Sequence, residues 1–383
     1  MNIKKIKIAL WILTFIFIGF TALTLIQGFH FTNVNNTFAW GGWFWAAQFL
    51  AAIGDGSLII AFLFYIFRVD SLKQIVKPCI LLSLIANLFV SLFLLLNMGQ
   101  PLRVWFMIVN PTWGQGVFPV SLFTAAFFSM FIYLLILCLE LVPVALTHER
   151  FEGRYTKTAH YMNKLVWILA AAAAFFAFIF HGVFGGGIFG SFSANSFWHR
   201  EYFTLVLVAI AATGTGGMLS SLVLFTMSSK ITGKEIISEK TFTSLSAISK
   251  KVFIVYCILR IADLFIVSLT AEIPASYIWG GYYGWPILII EFGLVIAALV
   301  LIKSKEAAPN DKHTIKGAVC GLLAIIAGKV FIILQGFSIP NFPWEEHAFF
   351  YPSIIEVLVI AGAIACMVLI FTGCVKRFDM REL

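Results

Sequence analysis

The chain has 383 residues, 61% of them hydrophobic and 11% charged, with a formal net charge of +8. In a soluble protein that charge would suggest nucleic acid or acidic partners. Here the basic residues sit in short segments between long apolar runs, and no stretch is long and polar enough for a separate soluble domain.

Ten apolar runs follow one another, near residues 8–28, 41–67, 75–98, 118–146, 163–184, 201–228, 250–270, 285–302, 315–336 and 351–374. Each approaches or exceeds the roughly 20 residues that cross a bilayer as a helix. The first lacks a small-residue cleavage site and reads as a retained helix. With the N-terminus placed in the cytoplasm, the segments on that side carry 22 of the 26 Lys and Arg residues. The outer loops carry only Arg103 and Arg200, and Arg260 and Lys329 fall inside helices. The positive-inside rule then holds at every loop. The expectation is an all-α integral protein of the cytoplasmic (inner) membrane. It forms a single membrane domain over residues 1–383, with ten transmembrane helices and both termini cytoplasmic. The segments 147–162 and 229–249 read as the longest cytoplasmic loops.

The second helix carries Gly54-Asp55-Gly56 and the sixth Gly214-Thr215-Gly216-Gly217, at similar depth and in the same direction. This predicts a parallel repeat. Residues 41–184 form one four-helix bundle and 201–336 a second, with 8–28 and 351–374 as flanking helices. Small residues at those positions let backbones approach closely. The competing explanation is chance, because membrane helices are rich in glycine.

Along the second helix, Trp45, Gln48, Ala52 and Asp55 share one side. At 1.5 Å per residue, Asp55 lies roughly 20 Å from the outer end. An unpaired carboxylate there costs at least about 2.5–3.5 kcal/mol. Asp55 is therefore protonated, or it faces water or a partner. Ser83, Asn87 and Ser91 form a stripe on the third helix, and Ser129, Tyr133 and Glu140 on the fourth. Arg260 and Asp263 are i, i+3 on the seventh, with Tyr256 one turn from Arg260. Glu291 lies in the eighth helix and Lys329 in the ninth. Intramembrane ionisable groups are functional by default. Asp55, Tyr133, Glu140, Arg260, Asp263, Glu291 and Lys329 are therefore the candidate proton path. A structural ion pair is the rival reading, above all for Arg260–Asp263.

The six cysteines form no CxxC pair, and the histidines sit at helix ends or in loops. Neither pattern supplies ligands at depth. The expectation is no haem, no iron–sulfur cluster and no metal held by this chain.

Between the third and fourth helices runs Gly99-Gln100-Pro101-Leu102-Arg103-Val104-Trp105, followed by Asn110-Pro111. A lone Arg on the side that avoids Arg reads either as an interfacial anchor beside Trp105 or as part of a site.

This segment resembles the loop signature of the NrfD/PsrC family, the quinol-interacting membrane subunits of modular oxidoreductases. The family pattern is usually Gly-Arg-Pro-x-Arg-Phe-Trp; Gln100 and Val104 depart from it. Tyr351-Pro352-Ser353-x-x-Glu356, opening the tenth helix, resembles the ten-helix, HybB-like branch. The resemblance implies no haem and a quinone or menaquinone site towards the outer leaflet. It also implies a ferredoxin-like iron–sulfur subunit on the outer face, with further redox subunits. Trp45, Gln48, Asp55, Arg103, Trp105, Asn110 and His181 are the candidate quinone-binding residues. Gln48 cannot relay a proton at neutral pH, so His181 is the candidate for proton exchange. The expected function is a non-autonomous membrane subunit of a respiratory-type oxidoreductase complex, with or without proton translocation. The alternative is a secondary transporter whose ion path uses Asp55, Arg260, Asp263 and Lys329.

Overall fold

The structure is a computed structural model of the chain. It describes residues 3–380 apart from 110–121, 147, 149–153, 179–196, 199–203, 272, 306, 310, 341–344 and 379. Among the described residues all regular structure is helical. The main helices are α1 (Ile3–Gln27), α2 (Gly42–Tyr65), α3 (Val76–Leu96), α4 (Leu122–Leu146), α5 (Thr156–Phe178), α6 (Thr204–Thr232), α7 (Glu239–Thr270), α8 (Trp285–Leu301), α9 (Lys312–Ser338) and α10 (Ile354–Arg377). Nine of these are long and apolar enough to span a membrane. The remaining one, α8, has 17 residues, about 25 Å at 1.5 Å per residue. The chain is an all-helical, multi-pass integral membrane protein.

Two helices start well before their apolar runs. Helix α5 begins at Thr156 and α7 at Glu239, so much of the segment 229–249, expected as loop, is helix. Hydropathy marks the part of a helix immersed in hydrocarbon, while backbone hydrogen bonding continues beyond it. The extra turns of α7 are capped by Ser238, whose Oγ accepts from the Thr241 N–H at 3.4 Å. They are pinned by the Thr243 and Ser246 hydroxyls, which donate to the carbonyls of Ala307 and Lys303.

Helix α1 is apolar all round and exposes Ile8, Trp11, Ile12 and Phe15. It packs against α10 at Gly362, where a Cβ would collide with the Leu13 carbonyl oxygen and the Phe17 side chain. The start of α10 is a capping box between Ser353 and Glu356. Glu356 also accepts from the Gly42 N–H at 2.9 Å. One carboxylate thus satisfies orphan donors at the starts of two helices. The Tyr351–Glu356 segment acts here as a clasp between α10 and α2.

Helices α2 and α6 cross backbone to backbone. A Cβ at Gly56 would meet the Thr213 carbonyl oxygen, and one at Gly217 would meet the backbone of Gly56 and Ser57. Both glycine motifs therefore have a packing reason that does not depend on a repeat.

Candidate functional site

Asp55 lies near the middle of α2 and is 1% exposed. The Asn87 amide on α3 donates to its Oδ1 at 2.8 Å. The Tyr133 hydroxyl on α4 donates to the same oxygen at 2.9 Å. Ser83, one turn from Asn87, lies 3.0 Å from the Tyr133 oxygen. The polar stripes of α3 and α4 thus converge on the α2 carboxylate. Gly54 makes this possible, because a Cβ there would collide with the Asn87 amide nitrogen. Each such hydrogen bond contributes about 0.5–1.5 kcal/mol net and satisfies polar groups that would otherwise be buried without partners.

Asp55 also forms part of the wall of a cavity of about 440 Å³ between α2, α5 and α6. Ile59 and Phe62 of α2, Ala174 and Phe175 of α5, and Thr213 of α6 line it as well. Among the described residues its walls are apolar apart from Asp55 and Thr213. The size lies within the roughly 300–1,000 Å³ of small-molecule sites. Phe175, one of the lining residues, is 60% exposed.

Trp45 and Gln48 continue the Asp55 stripe towards the Gly42 end of α2 but do not line this cavity. Helix α6 covers the stripe between them, with Gly216 packed on Ala52. The Trp45 indole is T-shaped on Phe350 at 5.8 Å, and its Nε1 has no hydrogen-bond partner among the described residues. Gln48 is half-buried. Trp45 shares an apolar cluster with Val330 and Leu334 of α9. Lys329, beside Val330, is half-buried and makes no hydrogen bond or ion pair among the described residues. It lies within Coulombic reach of Asp55.

The other intramembrane charges gather separately. Arg260 Nε and Nη2 donate to the two oxygens of Glu291 at 2.9 and 3.0 Å. Tyr256 donates to Glu291 Oε1 at 3.0 Å, and Thr204 to Asp263 Oδ1 at 2.7 Å. The Arg260 guanidinium lies 5.0 Å from the Phe331 ring centroid. Asp263, the partner expected from spacing, is a longer contact at 3.4 Å. The sequence shows only same-helix neighbours, whereas the bidentate partner comes from α8. Gly328 on α9 leaves room for it, since a Cβ there would come within 2.7 Å of both Glu291 Oε1 and the Tyr256 hydroxyl. Glu140 stands apart from both groups, fully buried two turns beyond Tyr133 on α4.

The Arg103 loop packs on the end of α1. Gly99 has φ +72, and a Cβ there would strike the Phe29 ring. Pro101–Arg103 forms a 3-10 turn. Arg103 is exposed and Trp105 is 52% exposed, so neither is brought beside Asp55. Asn110 and His181 lie outside the described residues.

A family profile described as polysulphide reductase, NrfD, matches residues 30–341. The chain is also similar to the menaquinone reductase integral membrane subunit of Nitratidesulfovibrio vulgaris. The two are 24% identical over 93% of this chain and 89% of that protein.

Proposed function

This chain belongs to the NrfD family, and on that premise we propose that it is the quinone-interacting membrane subunit of a respiratory-type oxidoreductase complex in the cytoplasmic membrane, with both termini cytoplasmic. The observation that carries this reading is Asp55, a mid-helix carboxylate bonded by Tyr133 and Asn87 in the wall of a largely apolar, quinone-sized cavity. Quinone supplies two-electron, two-proton chemistry when bound. The apolar walls exclude water from the ring, and Asp55 is the group able to exchange a proton with it. The relative named as a menaquinone reductase subunit supports menaquinone as the quinone.

Gln48 and Trp45 extend the same stripe towards the outer face. With Arg103, Trp105, Asn110 and His181 they are proposed as quinone contacts nearer the outer face, apart from the Asp55 cavity, on the side where electrons pass to or from a ferredoxin-like iron–sulfur subunit. The proposed proton path runs inward from Asp55 through Tyr133 to Glu140, with Lys329 as the nearby cation. Arg260, Asp263 and Glu291 are better suited to holding α7, α8 and α9 together, because their charges are locked in direct contacts. A polar-solute transporter fits poorly, since the described wall of the cavity is apolar apart from Asp55 and Thr213.

Filling the cavity tests the reading. Ala174→Trp should lower retained quinone and quinol-linked electron transfer by about tenfold or more, which corresponds to about 1.4 kcal/mol. Assembly with the redox partners should be unchanged. Wild-type retention and rate in an assembled Ala174→Trp complex would contradict it.

A further inference from the structure

Glu140 is fully buried, and neither of its carboxylate oxygens has a hydrogen-bond partner among the described residues. It lies on the Tyr133 side of α4, about 10 Å further along the helix at 1.5 Å per residue. Lys77, in the first turn of α3, is 3% exposed. It too makes no hydrogen bond or ion pair among the described residues. Ser83 of α3 meets Tyr133 of α4 at 3.0 Å. Lys77 lies six residues before Ser83 as Glu140 lies seven after Tyr133, so the two antiparallel helices bring acid and base to the same level. The Glu140 charge acts on Lys77 and on Tyr65 at the end of α2. Three helices thus bring a buried acid, a buried base and a phenol to the basic end of the Asp55–Tyr133 column.

An isolated carboxylate in an apolar interior is strongly disfavoured. Arg260 and Glu291 meet this problem with a direct bidentate contact, and an arginine cannot give up its proton. Lys77 and Glu140 meet it differently. They are close enough to feel each other and are not locked together. The lysine stem lets the ammonium lean towards the basic face while its charge still acts on the acid.

We propose that Glu140 and Lys77 form the loading site through which cytoplasmic protons enter the Asp55 column. This rests on the proton path proposed above. Glu140 holds the proton. Its O–H bond breaks as the proton passes through water towards Tyr133, and an O–H bond forms on the Asp55 carboxylate. The Glu140 carboxylate left behind is stabilised by the Lys77 ammonium until a proton from the cytoplasmic side restores it. Lys77 is a positioning residue and keeps its own proton throughout. Among the described residues, Tyr65 and Tyr133 are the other titratable groups on which the Glu140 charge acts.

The test uses the whole complex in liposomes, with a pH dye reporting the cytoplasmic face during quinone-linked turnover. Glu140→Gln should lower proton uptake per electron by about tenfold or more, and Lys77→Met should slow it as well. Glu140→Asp, which keeps a carboxylate, should retain a measurable part. Infrared difference spectra should show a protonated-carboxyl band that disappears in Glu140→Gln and moves in Lys77→Met, a response that a purely structural role would not give. A wild-type complex that takes up no cytoplasmic protons overturns both the column and the loading site. Wild-type uptake that persists unchanged in Glu140→Gln and Lys77→Met overturns the loading site alone.

Discussion

The Tyr133 phenol on α4 donates a 2.9 Å hydrogen bond to Asp55 Oδ1 on α2, the same oxygen that the Asn87 amide reaches at 2.8 Å. One oxygen therefore joins three helices near the middle of the membrane. The bond from Tyr133 also orders Ser83, whose hydroxyl lies 3.0 Å away.

Tyr133→Phe removes that link and leaves Asn87 in place. Losing one partner of a buried hydrogen-bonded group costs about 1–3 kcal/mol. The variant should insert and assemble, unfold at a lower temperature in detergent, and lose most of its quinone-linked proton transfer. An unchanged melting curve together with an unchanged proton yield would show that the bond is dispensable.

The Arg260–Glu291 contact should behave as a structural pair. Removing one partner of a buried ion pair costs about 3–5 kcal/mol, while replacing both with apolar residues is often near neutral. Arg260→Met and Glu291→Met should each lower the yield of folded protein, and the double variant should recover much of it. The double variant should also keep proton transfer. A folded double variant that transfers no protons would return these residues to the proton path.

Asp311 caps α9 outside the membrane span. Burial pushes its carboxyl up, but bonds from the Thr314 hydroxyl, the His313 N–H and Lys303 outweigh this and hold it below the ordinary value. A lowered folded value gives stability that is present above the unfolded value of about 3.9 and is lost as pH falls through the folded value. Asp311→Asn keeps a capping oxygen and removes the charge. Its melting temperature should fall below that of the wild type at neutral pH, and the gap should close as pH drops below about 4. A gap that stays constant with pH would mean the charge contributes nothing.

The ten apolar helices were legible because bilayer thickness imposes a length on apolar runs. Helix ends were not, because turns such as Glu239–Ser249 of α7 stand outside the hydrocarbon and carry no hydropathy signal. Asp55 was legible as a costly group, and the stripes containing Asn87 and Tyr133 were visible. Their convergence on one oxygen depends on helix rotation, which periodicity alone does not fix. Glu291 was missed as the partner of Arg260 because spacing along one helix cannot reveal a neighbour on another. The cavity did have a signal, the alanine run Ala170–Ala174 on α5, whose small side chains leave space beside α2. The part of Glu356 in holding α2 to α10 was hidden inside a motif read as a family mark.

If Asp55 couples quinone chemistry to proton movement, Asp55→Asn should disable both without disturbing assembly. The substitution keeps shape and leaves one carbonyl oxygen able to accept from both Asn87 and Tyr133. Measured in the assembled complex in liposomes, quinone-linked electron transfer and cytoplasmic proton uptake should both fall by about tenfold or more, with subunit composition and bound-quinone content unchanged. Wild-type rates for both in an assembled Asp55→Asn complex would contradict the account and leave Asp55 as a structural polar residue.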